Sequence, residues 1–87
     1  MKSQTTKSFW KHYWALPPEI RQRARQAYKL WRDNPAHPSL FFKQVKENQP
    51  LYSVRIGLGF RALGLLKTDT VTWFWIGTHD EYDRLLK

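Results

Sequence analysis

With 87 residues, the chain has room for one modest core and not for two, so residues 1–87 are read as a single domain. It has no cysteine, which excludes a disulfide framework and a thiolate zinc site; with no apolar run of about 18 residues and no charged start leading into an apolar segment, neither a membrane span nor a signal peptide is expected, and the expected compartment is the cytoplasm. Fifteen Lys and Arg against seven Asp and Glu leave a net charge of +8, which points to a polyanionic partner, nucleic acid or an acidic protein, ahead of a membrane face, with a merely soluble basic protein as the alternative.

Residues 1–5, "MKSQT", are polar and read as either a frayed tail or a short edge strand. "KSFWKHYWAL" then places Phe9, Trp10, Tyr13 and Trp14 at helical spacing. Pro17 and Pro18 end that helix, because a residue before proline avoids the α region. Pro18 suits the first turn of a second helix, "PEIRQRARQAYKLWRDN". Ile20, Ala24, Ala27, Tyr28 and Trp31 form its apolar stripe, and Arg21, Arg25, Lys29 and Arg32 occupy the remainder. The short connection folds the two helices into a hairpin, with Trp10, Trp14 and Trp31 expected between it and a sheet.

"PAHPSLFFKQVKENQP" carries three prolines and no clean period, so it reads as a loop in which "LFFKQV" is a candidate edge strand. Three clearer strands follow. "LYSVRIG" alternates Tyr52, Val54 and Ile56 against Ser53 and Arg55; "FRALGLLK" sets Phe60, Ala62 and Leu66 against Arg61, Leu63 and Leu65. "TVTWFWIG" carries bulky groups on both faces and reads as the central strand. The short links "GLG" and "KTDT" predict antiparallel hairpins. Thr78 and Glu81 have capping-box spacing and open a last short helix, "HDEYDRLLK". The expected fold is α+β: an N-terminal helical hairpin packed on a three- to four-stranded antiparallel sheet, closed by a short C-terminal helix.

Three strings, "LPPEIRQRARQAYKLWRDNPAHPSLFFKQV", "LYSVRIGLGFRALG" and "WFWIGTHDEYDRLL", together span most of residues 16–86. They resemble the RelE/ParE superfamily of small bacterial toxins from toxin–antitoxin pairs, above all its HigB-like and ParE-like branches. In those toxins a strand ends in R-x-G followed by (F/Y)-R, and a last strand leads to a His or Arg and a Tyr. The resemblance implies site residues at Lys43, Arg61, His79 and Tyr82. It also implies a cytoplasmic toxin held inactive by an acidic antitoxin, with the ribosome and mRNA as its targets if it is an mRNA endonuclease. Gyrase-poisoning relatives share the scaffold and would need no His79. A basic nucleic-acid- or protein-binding domain without activity is a third reading. One departure stands out: the family opens with a clear strand, whereas only "MKSQTT" precedes the first helix here, so a missing or shortened edge is expected, to which an antitoxin segment could add a strand.

Cleavage of RNA by its own 2′-hydroxyl needs a base for that proton, cations for the phosphate charge and an acid for the leaving 5′-oxygen. That chemistry calls for no metal and no cofactor. His79, as an imidazole, is the residue type suited to serve as base or acid. Arg55 and Arg61 on adjacent strands suit a phosphate clamp, Lys43 and Lys46 precede them, and Tyr82 suits base stacking or a share of the proton transfer. Each has a structural reading too: His79 as a helix-start residue, Arg55 as partner of Glu81 or Asp83, Tyr82 as a packing residue, the lysines as solvated. His37 reads as loop architecture and His12 as surface. Trp73, Phe74 and Trp75 read as core.

Overall fold

A computed structural model describes residues 1–87. Strand β1 (Lys2–Thr5) leads into helix α1 (Lys7–Trp14) and helix α2 (Pro18–Asp33). A 3-10 turn (Pro38–Leu40) precedes β2 (Lys43–Gln44), after which β3 (Leu51–Ile56), β4 (Phe60–Lys67) and β5 (Thr70–Thr78) run as a meander into helix α3 (His79–Leu86). The sheet has five strands in the order β1-β5-β4-β3-β2, more than the three or four expected from the sequence. All pairs are antiparallel except β1 with β5.

The opening strand is therefore present, though only four residues long, and it pairs with β5 from Lys2 opposite Thr70 to Thr5 opposite Trp73. Thr6 ends it and caps α1 by accepting the Phe9 N–H at 3.1 Å. Pro17 lacks an N–H and sits just ahead of α2, where none is needed, while its carbonyl accepts from Ile20 and Arg21 at 3.0 Å.

The two faces of the sheet bury different clusters. The helical hairpin covers one face, where Tyr13, Ile20, Ala24 and Trp31 pack on Val54, Ile56, Ala62, Val71, Trp73 and Ile76. Trp31, 1 % exposed, is the hub, edge-on to Trp73 at 5.4 Å and to Phe42 at 5.7 Å. Trp10 and Trp14 do not join it: they are 43 % and 65 % exposed, because α1 turns Phe9 and Tyr13 inward and is too short to bury a second face. The other face packs Leu51, Leu63 and Trp75 against Tyr82 of α3.

β5 serves both faces through a bulge. Leu63 pairs with Trp75 and Gly64 with Trp73, leaving Phe74 without a partner. The extra residue reverses the alternation, so Trp73 and Ile76 face the hairpin while Trp75 faces α3. Gly64 permits the close approach, since a Cβ there would lie 2.5 Å from Val71 and 2.8 Å from the Trp73 ring. No helix is long and apolar enough to cross a membrane.

Candidate functional site

The strand register builds a row of polar side chains on the face that α3 covers only in part. Lys43 pairs with Ser53, which pairs with Leu63, which pairs with Trp75. In the next row Arg55 pairs with Arg61, and Arg61 with Gly77. Cross-strand partners point to the same side. Lys43, Ser53, Arg55 and Arg61 therefore converge at one corner of the sheet, where α3 supplies His79 and Tyr82 to close a cleft of about 180 Å³.

The capping box read in the sequence sets the start of α3. Thr78 Oγ1 accepts the Glu81 N–H at 3.2 Å, while Glu81 Oε1 accepts from the Thr78 N–H at 3.1 Å. Acceptance of the Thr78 backbone N–H, then of its hydroxyl, holds the Glu81 carboxyl below the usual carboxylate range, against a small opposing effect of burial. The His79 N–H donates to the Gly59 carbonyl at 2.8 Å, tying the helix start to the β3–β4 hairpin. Gly77 is required here for space: a Cβ would meet the Trp75 ring at 2.5 Å. The His79 ring is half-buried, with Nδ1 lying 3.1 Å from Asp83 Oδ2 as an i, i+4 ion-pair contact. A carboxylate that fixes one ring nitrogen leaves Nε2 for a substrate.

The two arginines form a concentration of positive charge without a counterion. The ion pairs of the molecule are Arg32 with Asp33 and His79 with Asp83, so the expected structural pairing of Arg55 with Glu81 or Asp83 is absent. Arg55 Nε donates to the Gly57 carbonyl at 3.1 Å, and Arg61 Nη1 to the Phe60 carbonyl at 2.7 Å. Burial, then the Arg55 charge, lowers the Arg61 pKa from its ordinary value, with Tyr82 and Asp83 pulling the other way. Two guanidinium groups held together in this way suit an oxyanion such as phosphate.

Five of the six site residues expected from the sequence thus meet: Lys43, Arg55, Arg61, His79 and Tyr82. Lys46 does not join them, since its Nζ donates to the Leu86 carbonyl at 3.0 Å and caps the far end of α3. Tyr82 lies on the wall of the cleft with its ring buried at 9 % exposure and its hydroxyl donating to Ser53 at 3.3 Å. Such a ring has no free face for a base. Ser53 and Phe41 also line the cleft and were not singled out from sequence. Ser53 was legible as the residue two before Arg55 on one strand face, whereas nothing in "LFFKQV" separates an outward Phe41 from an inward Phe42. His37 is loop architecture as read, its Nδ1 accepting from the Ser39 N–H at 3.2 Å. His12 is half-buried, not surface, with its ring centroid 6.2 Å from that of Trp75.

His79, Asp80 and Asp83 bring three potential metal-ligand atoms within 4.8 Å of one another. The imidazole is already paired with Asp83 and both carboxylates are exposed on the first turns of α3, the arrangement of a helix-start ion pair.

A family profile described as ParE-like toxin domain matches residues 18–84. No curated protein matches the sequence. Among solved structures, the chain is similar to one in a RelB–RelE antitoxin–toxin complex from Methanococcus jannaschii, with 18 % identity and a TM-score of 0.76 over 97 % of this chain and 99 % of that one. It is also similar to YafQ from E. coli, with 9 % identity and a TM-score of 0.74 over 93 % and 96 % of the two chains. The YoeB/ParE toxin from Agrobacterium tumefaciens gives 15 % identity and a TM-score of 0.70 over 91 % and 99 %. At these identities the likeness establishes a shared fold.

Proposed function

Since this chain belongs to the ParE-like toxin domain family of the RelE/ParE superfamily, we propose that it is the toxin of a toxin–antitoxin pair and acts as a ribosome-dependent mRNA endonuclease. The observation that carries the reading is the single cleft in which the opposed Arg55 and Arg61, Lys43 and the Asp83-paired His79 converge. They supply the cations and one of the two proton carriers that 2′-hydroxyl attack needs, and water exchanges the proton at the other oxygen. The 2′-oxygen loses its proton and bonds to phosphorus, the bond to the 5′-oxygen breaks, and that oxygen takes up a proton. His79 carries a proton at one of these two oxygens through Nε2. Arg55, Arg61 and Lys43 hold the phosphate and meet the charge that grows on it. Tyr82, tethered to Ser53, shapes the wall beside them.

The net charge of +8 suits an acidic antitoxin and the ribosome alike, and the similar archaeal RelE fold was solved with its RelB antitoxin. The test maps mRNA ends by primer extension in a reconstituted translation system. New ends that require ribosomes, and that are lost with His79→Ala and Arg61→Ala, are expected. Intact mRNA in the presence of folded wild-type protein would contradict the reading and direct attention to gyrase supercoiling.

A further inference from the structure

Phe41 stands out at the cleft on two counts. It is a large apolar side chain left 55 % exposed, and it is a non-glycine residue in the left-handed region, with φ 45° and ψ 43°. Its neighbours account for the core, as Leu40 is buried and Phe42 packs on Trp31. The core therefore has no use for the Phe41 ring. The left-handed turn ends the 3-10 segment and carries the ring out to the cleft wall beside Lys43. There the Arg55 guanidinium lies over it, 5.1 Å from the ring centroid.

An uncommon backbone conformation thus sets an exposed aromatic ring beside the Arg55–Arg61 pair, a placement that packing does not call for. Single-stranded nucleic acids bind by stacking bases on aromatic rings while cations track the backbone. On the far side of Arg55 a groove of about 540 Å³ continues, lined by Arg23, Ser39, Gly57 and Leu58. Arg55 borders both this groove and the cleft, and Arg23 adds a cation beyond it.

We propose that Phe41, braced by Arg55, is the stacking shelf for the nucleobase next to the cleaved bond, and that the RNA strand continues from it along the groove toward Arg23. This rests on the reading of the cleft as an RNA-cleaving site. Phe41 then sets substrate preference: a purine, with its larger face, stacks better than a pyrimidine at that one position. Tyr82 cannot serve instead, because its ring is buried.

The test measures cleavage rates in the reconstituted ribosome system on mRNAs that differ only in the base beside the cut. It compares wild type with Phe41→Gly and Phe41→Trp. Glycine removes the ring and adopts the left-handed backbone freely, so Phe41→Gly is expected to melt no lower than wild type. Its cleavage is expected to fall about 10- to 100-fold, chiefly through a raised KM, with the purine preference flattened; Phe41→Trp is expected to retain both rate and preference. Equal rates and preference in wild type and Phe41→Gly would overturn the shelf while leaving the endonuclease reading intact. A sharp drop in the melting temperature of Phe41→Gly would also overturn it, by assigning the ring to the fold. No cleavage by wild type would overturn both.

Discussion

Arg55 and Arg61 face each other across a ladder, an arrangement that destabilises a sheet by about 0.2–1 kcal/mol relative to neutral partners. The burial and like charge that depress the Arg61 pKa describe the same conflict. A sheet tolerates it where an anion is to be held. Arg61→Gln is therefore expected to raise stability by a few tenths of a kcal/mol to about 1 kcal/mol in urea denaturation, while cleavage falls at least about 100-fold. At the start of α3, Thr78→Ala removes the cap and is expected to cost about 1 kcal/mol. Glu81 gives that cap a pH dependence. Its folded pKa lies below the unfolded value, so its stabilisation is present in full above the ordinary carboxylate value of 4.5 and is lost as the pH falls through the lower folded pKa. Acid titrations of wild type and Glu81→Gln are expected to differ most near neutral pH and to converge at the acid end.

Among the elements, α2 and β5 bear most on stability and on the site. Trp31 joins α2 to β5 and to the β2 approach through edge-on contacts with Trp73 and Phe42, so Trp31→Ala is expected to cost about 3–5 kcal/mol, read from the denaturation midpoint. Gly77→Ala would set a methyl 2.5 Å from the Trp75 ring and 3.1 Å from Glu81 Oε1. It is expected to lose about 1–3 kcal/mol by overpacking and to lower cleavage as well, because His79 follows two residues later. The same elements show what the sequence makes legible. Amphipathic spacing revealed α2, alternation revealed β3 and β4, and Thr78 with Glu81 revealed the start of α3. The strand Lys2–Thr5 stayed ambiguous because an edge strand of four polar residues carries no alternation. Trp10 and Trp14 have helical spacing in common with Phe9 and Tyr13, and spacing within so short a helix does not say which pair turns inward. The Phe74 bulge inverts one strand face without any glycine or proline at that position to mark it. Lys43, Arg61, His79 and Tyr82 were located by the resemblance of three strings rather than by any period, and with Arg55 they come together in one cleft. Lys46 misled because a lysine's reach spans several destinations, and Phe41 was hidden because its orientation follows from a left-handed turn rather than from a period.

On the scale of the whole molecule, the proposed function assigns the encounter with RNA to the net charge of +8 and the cleavage step to the cleft. Both depend on salt, in different amounts. With three cations, Lys43, Arg55 and Arg61, in the cleft, catalytic engagement of single-stranded RNA is expected to lose affinity with a log–log salt slope of roughly −2. Arg61→Gln is expected to make that slope shallower by about 0.7, whereas removal of a cation on the outer face of α2, as in Lys29→Gln, is expected to slow association without changing the cleavage step. In the proposed function, side chains from β2, β3, β4 and α3 form one cleft that cuts RNA by attack of its own 2′-hydroxyl. The most direct measurement is the chemistry of the new ends, determined by mass spectrometry of fragments released from ribosome-bound mRNA. A 2′,3′-cyclic phosphate on the upstream fragment and a 5′-hydroxyl on the downstream one are expected; a 3′-hydroxyl with a 5′-phosphate, or mRNA left intact by folded protein, would rule out 2′-hydroxyl attack in this cleft.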